Sequence, residues 1–304
     1  MLKHFIIFSL LTFSIFAQDS DSTEFVINEV ENNTVQELSI IEQQMQEIRK
    51  DEVAVNARLT LNNDNLLVLN KKLHSPSDIK IFTKKEIEPI NYTNTVSLNK
   101  LQVSEKKQKF FHMLLPAILI SKENLKLKRE RVIFLSQTPY EDLFEEDKEF
   151  LENLYTRYKT TDIRKLISRL KTHPVSIILA QAAIESAWGE SRFFKEGNNI
   201  FGMWSYNSHE PRIRAKGTRN GKAIYVKKYA NLSEAIDDYF LVIGRGAYKS
   251  FRKHRNITDN PLQLVQYLVN YCELKEKYTK KLRKFIVYNK LRKFDEFKLE
   301  DQYM

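Results

Sequence analysis

One cysteine, seven glycines, seven prolines and two tryptophans in 304 residues put several designs out of reach. The lone Cys272 can close no intramolecular disulfide and supplies no cysteine zinc cage. Glycine is absent before Gly189 and after Gly246, so most of the chain has few positions that take positive φ cheaply. Long helices with short connections are expected there. The same scarcity excludes an all-β sandwich or barrel, which needs turn residues roughly every 8–12 positions. Six scattered histidines contain no His-x-x-x-His pair, and no metal or organic cofactor is expected. Long apolar runs are also missing. The longest, Phe5–Phe16, follows Lys3 and His4 and precedes Ala17. At about 12 residues it falls short of the roughly 20 that span a bilayer, so residues 1–17 read as a secretory signal peptide. The mature chain is therefore expected to be exported, periplasmic or envelope-associated, with no stable membrane span.

What is abundant is charge, placed unevenly. The chain carries 49 Lys+Arg against 39 Asp+Glu, a formal +10. Residues 18–52 hold ten acids and two bases and are net −8, which leaves residues 53–304 at +17. A basic body favours a polyanionic partner or reflects the solvated faces of lysine-rich helices. Export makes nucleic acid the poorest of the polyanions. The acidic leader is a candidate docking segment for an envelope protein.

Residues 18–100 read as an acidic leader followed by an irregular arm. From Leu101 helical spacing firms up, with a helical lead-in over 101–160 and a core over 161–298. Apolar residues from Phe110 to Leu135 follow a helical period that Pro116 should kink or divide. Further helices are expected at Tyr140–Tyr158, at Asp162–Lys171 with Thr161 or Asp162 as its cap, and from Pro174 to Gly189. After Gly189 the helical face is lost until Leu232. Asn220-Gly221 between β-prone runs predicts a hairpin. Helices resume at Leu232–Tyr248, Pro261–Tyr271 and Lys275–Phe297. The fold class is α+β, mainly α, a helical domain with a small β-hairpin.

Glu185 is the most informative residue, set one turn before the glycine that ends an apolar helix, in AQAAIESAWG. An acid among Leu179, Ala182, Ala183 and Ile184 must pair, hydrogen-bond or hold its proton, and a carboxyl kept neutral near pH 7 suits protonation of a glycosidic leaving group. The same spacing also allows a Glu on one exposed stripe, paired with Arg192 or Lys195. Trp188, Phe193, Phe194, Phe201, Trp204 and Tyr206 follow. With Asn198 and Asn199 they could line a sugar groove, or close the core. Tyr225, Tyr229 and Tyr239 are candidate site hydroxyls or packing.

Three segments, KKQKFFHMLLPAILISKE, LAQAAIESAWGESRFFKEGNNIFGMWSY and KKYANLSEAIDDYFLVIGRGAYKSFR, resemble the Bax-type members of the glucosaminidase peptidoglycan hydrolases, glycoside hydrolase family 73. Tyr271-CELKEK-Tyr278-TKKL is similar, more loosely, to that family's closing tyrosine element. The likeness spans about residues 100–290. It implies a lysozyme-like fold, Glu185 as general acid, and cleavage of the β-1,4 bond after N-acetylglucosamine in peptidoglycan. Trp188, Asn198, Asn199, Phe201, Trp204 and Tyr229 are the residues expected to bind substrate. A second carboxylate is harder to place. Pro211–Tyr229 contains no acid, Glu210 stands at its entry, and Glu234, Asp237 and Asp238 suit capping or solvated roles. Glu210 as water activator and assistance by the substrate's own acetamido group both remain open. The rivals are a lytic transglycosylase of the same fold, or a non-catalytic wall-binding scaffold.

Overall fold

The computed structural model describes residues 57–61 and 66–303. The signal-like stretch and the acidic leader lie outside the described residues. The order is β1 (Ala57–Leu61), β2 (Leu67–Lys71), β3 (Glu86–Ile87), β4 (Ile90–Tyr92), α1 (Val103–Leu135), α2 (Glu145–Tyr158), α3 (Ile163–Leu170), α4 (Val175–Glu185) and α5 (Arg192–Gly197). There follow β5 (Arg212–Arg219), β6 (Lys222–Lys227), α6 (Leu232–Gly244), α7 (Lys249–Arg255), α8 (Pro261–Leu264), α9 (Lys275–Tyr288) and β7 (Lys298–Leu299). The fold is α+β and mainly α. Among the described residues no helix is long and apolar enough to cross a membrane.

Helix α1 is the axle. Residues 110–121 are buried on every side, and α3, α4 and α6 pack around them. Pro116 does not divide it; the helix runs unbroken through the proline. Burial of both flanking turns holds together a helix that loses one backbone bond there. Helix α4 is likewise buried from Val175 to Ala183, and it emerges only at its last turn. The alanines and β-branched residues of that helix match a site enclosed by neighbours, where a polar face would have nothing to meet.

The capping chemistry holds locally. Asp162 caps α3, its Oδ1 accepting from the amides of Arg164 at 2.9 Å and Lys165 at 3.2 Å. Helix α6 is capped by Asn231, whose Oδ1 accepts from Glu234 N, while Glu234 reaches back to the amide of Ala230. Glu234 is thereby a capping acid. The hairpin closes through Asn220 and Gly221, at φ 50° and 73°, as a two-residue turn with both centres left-handed requires. Gly217 lies where the β5–β6 register slips between Arg214 and Thr218.

Three differences are informative. The aromatic loop contains a short helix, α5, started by Ser191 and stopped by Asn198 in the left-handed conformation. The last two expected helices are shorter, each passing into a 3-10 segment, at Val265–Leu268 and Leu291–Glu296. Residues 66–100 are not an irregular arm. Leu66, Leu73, Ile79, Ile87, Ile90 and Tyr92 are buried in the same core as α1. Strand β4 pairs parallel with β2, and β3 with β7, more than 200 residues along the chain. Short parallel pairs carry little periodicity of their own, and long-range contacts decide them.

Gly244 marks a close approach. A Cβ there would lie 2.9 Å from the carbonyl oxygen of Arg169 and 2.9 Å from the Tyr158 ring. Gly244→Ala is expected to destabilise the protein by about 1–2 kcal/mol through overpacking, read as a lowered Tm with unchanged secondary structure. A Tm equal to the parent's would mean that α3 and α6 are not in contact there.

Candidate active site

Glu185 ends α4 where the helix leaves the core. The residue is exposed, so the structure chooses the open-stripe placement over the enclosed one. Its expected partners Arg192 and Lys195 bond elsewhere, to Glu196 and Glu190. The hydroxyl of Tyr278 donates to Glu185 Oε1 at 3.0 Å. Partial loss of water around the carboxyl raises its pKa above the ordinary glutamate value, opposed by the Tyr278 hydrogen bond and by the charge of Lys281. A carboxyl so placed keeps its proton to higher pH than a free glutamate and still faces solvent.

The turn after it is tightly specified. Ala187, Trp188 and Gly189 are all left-handed, at φ 52°, 61° and 82°, and two of the three bear side chains that disfavour this region. Ser186, fully buried, holds the reversal. Its hydroxyl donates to Ala182 O at 2.6 Å and accepts from Gly189 N at 2.9 Å. The turn drives Trp188 inward, half-buried, with its ring 5.7, 5.4 and 5.3 Å from those of Phe110, Phe111 and Phe285. Lys107 covers one face at 5.3 Å. Trp188 is therefore packed against core rings, with Lys107 over one face.

The asparagines expected to read sugar hydroxyls are buried and committed to backbone. Asn198 Nδ2 donates to Thr93 O and Tyr229 O, at 3.1 and 3.0 Å. Asn199 Nδ2 donates to Met203 O and Lys227 O, at 3.0 and 2.8 Å, while its Oδ1 accepts from Met203 N at 2.9 Å. Carbonyls of a buried loop need such donors. Phe201 is also core, stacked on Tyr239 at 4.4 Å. Tyr229 is buried, with its hydroxyl donating to Asp238 Oδ2 at 2.6 Å. None of these four lies open to a ligand.

Trp204 does lie open, 37% exposed. Backbone bonds from Ser205 N to Tyr225 O and from Lys227 N to Met203 O lay its segment along β6. Arg219 sits over the ring at 5.2 Å, and the exposed Tyr206 is 6.2 Å away. The hairpin beside it carries Arg212, Arg214, Lys216, Arg219, Lys222 and Lys227 with no acid.

Glu210 belongs to a different cluster. Its Oε2 is 4.0 Å from Lys227 Nζ, which also binds Asp238 Oδ2 at 3.0 Å. Among the described residues Glu210 and Glu185 share no hydrogen-bond or ion-pair partner, and the one charge that bears on Glu185 is that of Lys281. Asp238 is thus tied to the hairpin base and is not a free carboxylate. Among the described residues no group of three or more His, Cys, Asp or Glu could hold a metal.

Residues 160–291, the segment from α3 to the turn after α9, match the family model described as mannosyl-glycoprotein endo-beta-N-acetylglucosaminidase. Those residues match the glucosaminidase family. Glu185, Trp204 and Tyr278 all fall inside the match, which supports a glycoside hydrolase. Protein bax of Escherichia coli is 26% identical over 160 residues, covering 49% of this chain and 55% of that protein. Exo-glucosaminidase LytG of Bacillus subtilis is 29% identical over 89 residues, 28% of this chain and 32% of that protein. The chain thus spans about half or less of the curated relatives it matches. Among solved structures, the catalytic domain of the autolysin Auto from Listeria monocytogenes aligns with TM-score 0.40 and 17% identity, over 66% of this chain and 99% of that one. A glycoside hydrolase domain of FlgJ from Salmonella typhimurium aligns with TM-score 0.32 and 27% identity, over 47% and 97%.

Sequence reasoning passed over two residues of the matched segment, Gln181 and His173, and met Tyr278 only in the loose likeness to the closing tyrosine element. Gln181 stood in plain view as a lone amide four positions before Glu185, on the same helical face. His173 carries no local signal, and only tertiary packing joins it and Tyr278 to Gln181.

Proposed function

We propose that this glucosaminidase-like domain cleaves the β-1,4 bond after N-acetylglucosamine in the glycan strands of peptidoglycan, with Glu185 protonating the leaving oxygen. The observation that carries this reading is an exposed carboxyl with a raised pKa, held by Tyr278 at one oxygen and open at the other, inside the family-matched segment. A general acid must hold its proton, be reachable and be fixed in direction; the raised pKa of Glu185 favours the first, and its exposure and the Tyr278 bond supply the other two. The exposed Trp204 ring offers a stacking surface, and the acid-free basic hairpin suits the stem-peptide carboxylates of the polymer. Export through residues 1–17 would bring the domain to that substrate, with the acidic leader free to meet an envelope partner.

A second reading, single-acid chemistry, is favoured by one observation. Among the described residues no carboxylate bears on Glu185, and Glu210 is engaged with Lys227. Either the acetamido group of the substrate attacks in place of a protein carboxylate, or the product closes on itself as in a transglycosylase. Digestion of purified peptidoglycan with the full chain, followed by mass spectrometry of the fragments, decides among them. Reducing N-acetylglucosamine ends support the hydrolase, 1,6-anhydromuramic ends the transglycosylase, and intact glycan a scaffold. Trp204→Ala is expected to lower kcat/KM about fivefold, from loss of roughly 1 kcal/mol of stacking. An unchanged kcat/KM would remove Trp204 from the groove.

A further inference from the structure

Behind Glu185 a continuous line of buried polar side chains crosses the domain. Tyr278, 2% exposed, accepts from Gln181 Nε2 at 3.2 Å. Gln181, fully buried, accepts at Oε1 from the Tyr239 hydroxyl at 2.7 Å. Tyr239, also fully buried, lies 2.8 Å from His173 Nε2. The four residues come from α4, α6, α9 and the turn before α4, so three packed helices converge on the line.

Chemistry at the open end fixes its direction. Ionised, or protonated at the outward Oε2, the carboxyl presents Oε1 only as an acceptor, so Tyr278 donates to Glu185. The Tyr278 oxygen then accepts, which turns the NH2 of Gln181 toward it and the Gln181 carbonyl toward Tyr239. Tyr239 must therefore donate to Gln181 and accept from His173. The imidazole is left as the Nε2–H tautomer with a bare Nδ1. Two features of the buried end agree. Nδ1 of His173 has no hydrogen-bond partner among the described residues, and the guanidinium of fully buried Arg255 lies close enough to act on the ring. Burial and the charges of Arg255 and Lys122 keep the imidazole neutral, so it can present one donor and one lone pair.

We propose that His173, Tyr239, Gln181 and Tyr278 form a one-way hydrogen-bond line that holds Oε1 of Glu185 as a permanent acceptor and leaves Oε2 as the oxygen bearing the transferable proton. Gln181 and Tyr239 are then positioning residues. The inference rests on Glu185 being the acid. A purely structural core would fill these positions with apolar residues at less risk, because one missing partner strands the rest. Among the described residues the line reaches an exposed group only at Glu185. Oε2 has no hydrogen-bond partner among the described residues, whereas Oε1 is bonded whether or not the carboxyl carries its proton. The other titratable or charged groups that bear on this end are Lys281 of α9, Tyr271 before it, and Tyr248 at the start of α7.

The test combines a nuclear measurement with kinetics on the full chain. Two-bond ¹H–¹⁵N correlation spectra should show His173 protonated at Nε2 and bare at Nδ1. Tyr239→Phe keeps the ring stacked on Phe201 and removes only the hydroxyl. It should lower kcat on peptidoglycan about five- to tenfold, within the range of a mispositioned acid, with KM changed less than about twofold. Tyr278→Phe removes a bond that favours the charged form. The pKa of Glu185 should rise, and the alkaline limb of the pH–rate profile should move upward by roughly half a unit or more. Tyr239→Phe should move the limb in the same direction and less far. If that variant fails to fold, Gln181→Met probes the same line. An Nδ1–H tautomer in an active enzyme, or folded variants with parental kcat and pH limb, overturns the line alone. Failure of the parent to cleave peptidoglycan would overturn the acid reading, and with it the assignment of the Oε2 proton.

Discussion

Glu185→Gln should fold as the parent does and lose at least about 10²-fold in glycan cleavage, the scale of a lost general acid. The amide matches the carboxyl in shape, and its carbonyl can still accept from Tyr278, so the buried line behind it is preserved. What disappears is the proton on the outward atom. An NH2 group there has no proton to give a departing glycosidic oxygen. Because Glu185 is exposed and ends its helix, the change in stability should stay within about 0.5 kcal/mol. Muropeptide release and Tm measured together make the test. Parental cleavage by the variant would sink Glu185 as the acid, while a large fall in Tm would assign it a structural role. The pH dependence has a definite sign. A general acid acts in its protonated form, so activity declines as pH rises through the raised pKa of Glu185. Any residual activity of the glutamine variant should lack that alkaline limb.

The helical frame was legible because its signals are local. Asp162 before an amphipathic stretch, Pro174 before a run of small and apolar residues, and Asn220-Gly221 between β-prone segments each act through neighbours a few positions away. Glu185 stood out for the same reason, since a lone carboxyl on an apolar helix is an anomaly within one turn of sequence. Its exposure was not legible. Whether the last turn of α4 faces core or solvent depends on α9 and the loops around it, about a hundred residues later. The asparagines expose a further ambiguity. An amide in a loop serves equally to read a ligand and to satisfy the loop's own carbonyls, and only burial tells them apart. Asn198 and Asn199 do the second. Residues 66–100 were misread because strands of two to five residues, paired in parallel across long separations, leave no periodic trace.

Distance along the chain also explains why the polar line escaped notice. Gln181 and Glu185 share a helix, yet Tyr239 lies 58 positions from Gln181 and Tyr278 lies 97 positions from it. Tyr239 alone reads equally as a site hydroxyl or as packing, and Tyr278 as one member of a loosely matched tyrosine element. Their meaning comes from the direction imposed by one carboxylate, a constraint that exists only once the helices are assembled.

The loop that carries Trp204 depends on one buried amide, so Asn199→Ala should be costly. Asn199 is 1% exposed and makes three hydrogen bonds to backbone groups. Met203 O keeps a second donor in Lys227 N, but Met203 N and Lys227 O lose the amide that serves them. Each stranded group costs about 1–3 kcal/mol, which puts the variant roughly 3 kcal/mol below the parent. For a domain of this size that is a fall of roughly 6–12 °C in Tm. Asn199→Asp separates the possible roles of the side chain. The carboxylate can still accept from Met203 N, but it has no N–H for the two carbonyls and sets negative charge against them. It should therefore be destabilised at least as much as the alanine variant. A side chain that read substrate hydroxyls would behave in the opposite way, with both variants keeping the parental Tm and raising KM. Thermal unfolding and KM measured on the same two variants thus decide whether Asn199 builds the groove or touches what the groove holds.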